Sequence, residues 1–415
     1  MPMQVLYQRC AGLDVHKNTV VACVLTSTAK GMATPEVQTF KTMTRDLEAL
    51  SRWLKELEVE QVCLESTGVY WWPVYNLLEE AGLPVTLVNA REAKHLPGRK
   101  TDVGDAIWLA DLCRHGLVRA SFIPPAAIRE LRELTRYRAT QVQARSREVQ
   151  HLLKTLASAN LQLGSVASNV VGVSGWQMLE AVAAGEEDPH TLADMAKRKL
   201  RAKLDELEQA FIMRVKPHHR LLIQTSLDLL RFLDDSIAAL DTAIEAAAAP
   251  FAAQLAALDA VPGIGKVAAA AIVAEIGVNM DQFPTAGHLA SWAGVCPGNK
   301  QSGGKRLSSK TTKGDVWLRR ILGEAAWAGI REEHSVFRAR YYRLKSRLGA
   351  QQALVALMHQ QLKVIHHILK TGEVYRELGA DYYQTADPHR AVQRHTKQLE
   401  RLGYTVTLTP VAKAS

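Results

Sequence analysis

Apolar and polar positions alternate in two different ways along this chain, and the change between them divides it. From Ala11 to about Ala120, short apolar runs alternate with helical spacing. AGLDVHKNTVVACVLT predicts two strands around a polar turn at Lys17-Asn18; VQTFKT predicts a third, EQVCLEST a buried fourth and LPVTLVNA a fifth. Between them, TRDLEALSRWLKEL predicts a helix with Thr44 as its N-cap, and WWPVYNLLEEAG one that ends at Gly82. KTDVGDAIWLADLCRHG predicts a further helix, capped by Thr101 and stopped by Gly116. A hairpin of strands followed by strand–helix alternation makes an α/β domain with a mixed sheet, expected over residues 1–124.

Beyond Pro125 the spacing becomes helical almost throughout. AAIRELRELTRYRATQVQARSREVQHLLKTL predicts a long charged helix, and GSVASNVVGVSGWQ is less regular. ADMAKRKLRAKLDELEQAF and HHRLLIQTSLDLLRFLDDSIAALDTAI again predict helices. Heptad-like spacing over residues 125–250 fits either a plain helical connector or an oligomerising coiled coil. A third, mainly helical unit, 251–349, opens with LDAVPGIGKVAAAAIVAEIG and passes through the glycine- and lysine-rich loop CPGNKQSGGKRLSSKTTKGD into the helix GDVWLRRILGEAAWAGI. The segment 350–415 adds the amphipathic helix QQALVALMHQQLKVIHHILKTG and a polar tail.

Composition narrows the partners. Of 415 residues, 47% are hydrophobic and 22% charged, as in a folded protein, and the net charge of +9 favours a polyanion, nucleic acid before an acidic membrane surface. Five scattered cysteines with no CxxC pair argue against a disulfide framework or zinc ribbon and suit a reducing, cytoplasmic setting. The N-terminus carries no signal-like apolar run, and no stretch of about 18 uninterrupted apolar residues predicts a membrane span. AIEAAAAPFAAQLAAL comes closest, broken by Glu245, Pro250 and Gln254.

Four carboxylates then change the picture. Asp14 lies inside the apolar strand of GLDVHK, Glu65 ends the strand of VCLEST, and Asp102 and Asp105 share one face of a helix start in KTDVGDA. A carboxylate within an apolar strand is costly unless something pairs with it. Each acid alone reads as a helix cap or an ion-pair partner. All four on one α/β unit read as a Mg²⁺ site for phosphoryl transfer on nucleic acid. GLDVHK, CLESTGVYWWPVYNLLEEAG and RKTDVGDAIWLADLCRHGLV resemble the DEDD motifs of the insertion-sequence family 110 transposases. The resemblance implies a ribonuclease H-like (RuvC-like) nuclease domain, with Asp14, Glu65, Asp102 and Asp105 as its metal-binding catalytic acids.

Further on, VPGIGKVAAAAIVAEIG has the form of a helix–hairpin–helix, in which Gly263 and Gly265 permit a tight turn and the backbone N–H groups with Lys266 hold a DNA phosphate. It lacks the residues of a P-loop or a dinucleotide fingerprint. In the basic loop, Ser302 precedes Gly303 and Gly304; Lys305, Arg306, Lys310, Lys313, Arg319 and Arg320 follow, a plausible phosphate cradle. From the residues alone Ser302 reads as a turn serine before it reads as a nucleophile, and Ser308 and Ser309 compete with it. WAGVCPGNKQSGGKRLSSKTTKGDVWLRRILGEAAWA is similar to the second domain of the same family, which implies that Ser302 is the recombinase nucleophile. The resemblance also implies a homo-oligomer, dimer or tetramer, acting on double-stranded DNA under the guidance of a structured RNA encoded by the element.

The expected function is therefore a DNA transposase that cuts and rejoins strands through Ser302 with the help of Mg²⁺. A metal-dependent junction endonuclease using water, or a non-catalytic DNA-binding protein, are the competing readings. The run Arg132 to Arg147 reads as a solvated helix face or a nucleic-acid contact.

Overall fold

Strands β1 (Arg9–Val15), β2 (Thr19–Ser27) and β3 (Ala33–Lys41) pair antiparallel. A short polar turn suffices to join β1 to β2. Strands β4 (Gln61–Glu65) and β5 (Val85–Val88) run parallel to β1 and need crossovers, supplied by α1 (Thr44–Glu56) and α2 (Trp71–Glu80). The resulting mixed sheet has the order β3-β2-β1-β4-β5. The computed structural model describes residues 4–27, 32–65, 68–88, 102–298, 300–308, 310–385 and 388–409, in two units, 1–126 and 127–415. The expected Thr101 cap lies outside the described residues. Thr44 is already helical, with Met43 in the cap position and no side-chain cap bond, so the threonine does not cap α1 as expected.

Strand alternation sends successive side chains to opposite faces of the sheet. Ala11, Leu13, Val20, Ala22, Val62 and Leu64 pack under α1 and α2, against Leu50, Leu54, Val74 and Leu78. Cys10, Val21, Cys23 and Cys63 pack on the other face, under Ala106, Leu109, Ala110 and Cys113 of α3 (Asp102–Arg114). Four of the five cysteines are thus buried free thiols in the core. Gly12 sets how close α3 comes: a Cβ there would lie 2.3 Å from the Ala106 carbonyl oxygen and from the Ala110 nitrogen. The Cys10 thiol donates to the Ala110 carbonyl at 3.3 Å.

In the second unit, α4 (Ala126–Ser158) and α9 (Pro217–Ala248) form an antiparallel pair. Arg138 is paired with Asp241, Arg145 with Asp234, and Ser226 donates to Glu148 at 2.6 Å. Short helices α5 (Leu163–Val166), α6 (Val173–Ala184), α7 (Pro189–Asp194) and α8 (Leu204–Ala210) fold over one end of the pair. The expected continuous helix through ADMAKRKLRAK is broken. Arg198 takes a φ of +55°, and Arg198–Lys203 forms a 3₁₀ turn. Five cations within Lys197–Lys203 repel one another along a helix, and Asp194 holds Arg201 at 2.8 Å. The helical stretch Pro217–Asp259 is long and apolar enough by composition to cross a membrane, where none was expected. Much of that apolarity is alanine, and a single such helix is weak evidence.

Helices α10 (Ala252–Asp259), α11 (Lys266–Ile276), α12 (Ala286–Trp292), α13 (Val316–Arg331), α14 (Val336–Leu348) and α15 (Ala350–Thr371) make the last core, followed by α16 (Tyr382–Thr385) and α17 (Pro388–Arg401). Gln361 of α15 donates to the Pro262 and Ala325 carbonyls at 3.2 and 3.3 Å. Glu275, 1% exposed, accepts from Nε and Nη2 of Arg136 at 2.8 and 2.7 Å. Arg136 also reaches Asp315 at 3.3 Å, and Arg132 donates to the Ala274 and Glu275 carbonyls at 2.9 and 2.8 Å. Arginines 132, 136, 138 and 145 are therefore fasteners within the unit, which corrects the reading of these four as a solvated or nucleic-acid-binding face, while Arg147 is exposed.

Two stability measurements follow from this packing. Gly12→Ala is expected to lower stability by about 1–3 kcal/mol, because a methyl group must displace helix backbone; denaturant unfolding at wild-type values would show that α3 can move away. Glu275→Ala is expected to destabilise the second unit by about 3–5 kcal/mol, since two partly buried arginines lose the carboxylate between them and Arg136 keeps only Asp315, read as an earlier unfolding transition.

Candidate active site

Asp14 is the sixth residue of β1 and points to the α3 face, in line with Cys10 and Gly12. In the parallel pairing of β1 with β4, Gly12 lies opposite Cys63 and Leu13 opposite Leu64. Glu65 is therefore the neighbour of Asp14 on the same face, at the same end of the sheet. Helix α3 begins at Asp102, over that end. Its close seat on Gly12 carries Asp102 and Asp105 towards Asp14, and the positive end of the helix dipole favours acids there. Four residues separated by as many as ninety positions thus gather at one edge of one domain.

Asp14 is 7% exposed, whereas Asp102 and Asp105 are exposed and Glu65 is half-buried. Burial pushes the Asp14 carboxyl above the usual carboxylate range; Asp102 and Asp105 push it further, and His16 opposes them. His16 was no part of the expected site. Its Nε2 lies 3.1 Å from Asp14 Oδ2 and 3.5 Å from Asp102 Oδ2. The signal was in the same GLDVHK motif: a residue two beyond a strand carboxylate, where the chain turns, lies at the same sheet edge. His16 N donates to the Thr19 carbonyl at 2.9 Å in that turn.

The donor set fits a divalent cation. Ligand atoms of Asp14, His16 and Asp102 all lie within 4.8 Å of one another. A buried carboxylate beside two like charges is unfavourable without a cation, and oxygen-rich sites of this kind suit hard divalent ions.

The second candidate region differs from the expected loop. Lys300–Ser302 (β6) and Lys305–Ser308 (β7) form a hairpin in which Ser302 is paired with Lys305. Gly303 and Gly304 take φ values of +55° and +78°, both positive as a two-residue hairpin turn of type I′ requires. Ser302 is accordingly the last residue before the turn. Ser309 lies outside the described residues. The hairpin is closed at its base, where Gly298 N donates to the Lys310 carbonyl at 2.8 Å and Pro297 bridges to Thr311.

The cations around it divide. Lys305, Lys310 and Lys313 are exposed. Arg320 is paired with Glu324 at 3.1 Å, and Arg319 reaches the Thr311 hydroxyl at 3.4 Å. Asp315 caps α13, accepting from Leu318 N at 2.7 Å, and thereby ties the hairpin's exit to Arg136 and Glu275.

At VPGIGK, Gly263 has a φ of +88°, and a Cβ there would lie 2.1 Å from the Ala325 carbonyl oxygen. This glycine is needed for the approach of the turn to α13, a packing role beside the expected phosphate-binding one. Gly265 and Lys266 are exposed at the start of α11, with open space where a Cβ would stand on Gly265.

Comparison with known proteins agrees with these two regions. Residues 11–160 match the transposase model for the DEDD domain of IS110 elements, and residues 255–342 match the model for transposases of the IS116/IS110/IS902 family. A probable family 20 transposase of Pseudomonas aeruginosa is 27% identical over 324 residues, 76% of this chain and 85% of that protein. An uncharacterized 43.6 kDa protein of insertion element IS110 from Streptomyces coelicolor is 32% identical over 120 residues, 28% of this chain and 29% of that one. The Thermus thermophilus RuvC structure aligns over 27% of this chain and 99% of that chain, with 17% identity and a TM-score of 0.23, too low to bear weight. The first matched segment contains Asp14, Glu65, Asp102 and Asp105 and the second contains the Ser302 hairpin: the chain belongs to the IS110 family of transposases, enzymes that cut and recombine DNA.

Proposed function

We propose that this transposase recombines DNA through a covalent intermediate on Ser302, with Asp14, Glu65, Asp102 and Asp105 holding Mg²⁺ at the scissile phosphate. The observation that carries the acidic half is the gathering of Asp14, Asp102 and His16 within 4.8 Å beside Glu65. When bound, the ion would neutralise charge on the phosphate oxygens. Ser302 Oγ attacks phosphorus, an O–P bond forms, and a deoxyribose hydroxyl leaves with a proton. A hydroxyl of another strand then attacks the phosphoserine and releases the serine, so the energy of the bond is retained without nucleotide hydrolysis. A serine that ends a paired strand before a tight turn has its backbone position set by the pairing, and Lys305, Lys310 and Lys313 favour an anion near it. Gly265 and Lys266 at the start of α11 would hold a more distant phosphate.

The reading includes a structured RNA encoded by the element, supported by the family resemblance and the charge of +9. It also includes a homo-oligomer. Leu222, Leu229 and Phe232 are 48, 42 and 66% exposed on α9 at heptad spacing, the pattern of a seam awaiting another helix. Ser302→Ala is expected to abolish covalent protein–DNA adduct on suicide substrates, as is Asp102→Ala. Cleavage surviving in Ser302→Ala but not in Asp102→Ala would establish water as the nucleophile, and binding without cleavage by the wild type would establish a non-catalytic role.

Asp14 supplies a test of the cation site independent of catalysis. Its carboxyl has a raised pKa in the fold, so above that pKa the ionised group opposes folding, and the penalty disappears as the pH falls through it. Metal-free Asp14→Asn is therefore expected to melt higher than the metal-free wild type at neutral pH, the difference shrinking on acidification. Added Mg²⁺ should raise the melting temperature of the wild type and leave the variant unchanged; equal responses of both proteins would refute the site.

A further inference from the structure

His16 stands where a bound cation would need a ligand. It leaves the end of β1 in a turn fixed by the bond from its N–H to the Thr19 carbonyl at 2.9 Å, so its backbone is anchored to the sheet that carries Asp14. Its Nε2 lies 3.1 Å from Asp14 Oδ2 and 3.5 Å from Asp102 Oδ2. Two ligands in adjacent positions of an octahedral ion, each at roughly 2.1 Å, lie about 3.0 Å apart. The two His16 spacings are near that value, and the three donor atoms lie within 4.8 Å of one another. One nitrogen, Nε2, is thus within reach of a carboxylate on β1 and of one at the start of α3 at the same time.

We infer that His16 is itself a ligand of the catalytic cation, through Nε2, so that the ion sits in a mixed nitrogen and oxygen shell and Mn²⁺ is favoured over Mg²⁺. The inference rests on the reading that the acidic residues hold a cation. Mg²⁺ strongly prefers oxygen donors, whereas Mn²⁺ accepts carboxylate and imidazole together. An all-carboxylate shell would discriminate less between the two. His16 thus sets which ion is preferred, and the acids set that an ion is bound at all.

The experiment uses the metal-free full-length protein titrated with Mn²⁺, with free ion followed by electron paramagnetic resonance. Pulsed measurements on the bound ion report ¹⁴N coupling. The wild type is expected to hold Mn²⁺ with the coupling of a directly bound imidazole nitrogen. His16→Gln should lose that coupling and bind Mn²⁺ at least about tenfold more weakly, with a smaller change for Mg²⁺ measured by competition. Asp14→Asn should abolish the site. If Mn²⁺ binds in an Asp14-dependent manner without nitrogen coupling, or if the coupling survives in His16→Gln, His16 is no ligand while the acidic site stands. If no bound Mn²⁺ depends on Asp14, the acidic reading fails together with the inference.

Discussion

The approach of one helix to one strand determines what the N-terminal unit can do. Helix α3 rests on the backbone of β1 because Gly12 has no side chain, and its own Ala106 and Ala110 are small enough to meet it. Close packing of this kind is intolerant of added volume. It also fixes where the helix starts, and so where Asp102 and Asp105 stand relative to Asp14. The buried cysteines around the contact are small apolar fillers under the same helix, reduced and internal. Nothing in the acids themselves would assemble them. Like charges repel, and Asp14 is held in a setting that disfavours its ionised form. The fold imposes the cluster, and a cation or the His16 imidazole relieves it.

The second unit solves a different problem, that of holding a short hairpin rigid on a helical body. A two-stranded hairpin is marginal by itself in water. Here its base is closed by Gly298 and Lys310, and its exit is bound to α13 through the Asp315 cap. Arg136 then joins Asp315 to the buried Glu275 of α11, and the same arginine lies over the Trp317 ring at 5.5 Å. A buried ion network adds little net stability, but it specifies one arrangement, because each partner left alone is strongly unfavourable. Arg132 and Arg136 of α4 serve the fold in this way, while Lys305, Lys310 and Lys313 are exposed. Charge in this unit is thus divided between internal fastening and a solvent-facing set beside Ser302.

Much of the site was legible in the chain. A carboxylate inside an apolar strand is a local anomaly, and the three-residue spacing of Asp102 and Asp105 follows from helical geometry. The Ser-Gly-Gly step signalled a turn, though it appeared as a loop because three-residue strands carry too little alternation to register. His16 escaped notice because its place two residues beyond a strand carboxylate is a weak signal until its distances to two carboxylates give it meaning. Gly263 was assigned to a phosphate through its motif, whereas its close neighbour in the fold is the backbone of α13.

By itself the sequence determined the five strands of the first sheet and most of the helices, the four acids, the serine before two glycines and the family to which they belong, since these are properties of neighbouring residues and of local periodicity. Tertiary structure alone decided which arginines are consumed by the fold, that Gly12 permits the helix to close on the strand, and that His16 faces the acids. Those depend on contacts between residues far apart in the chain, whose energies come from burial and close approach and leave no trace in local spacing.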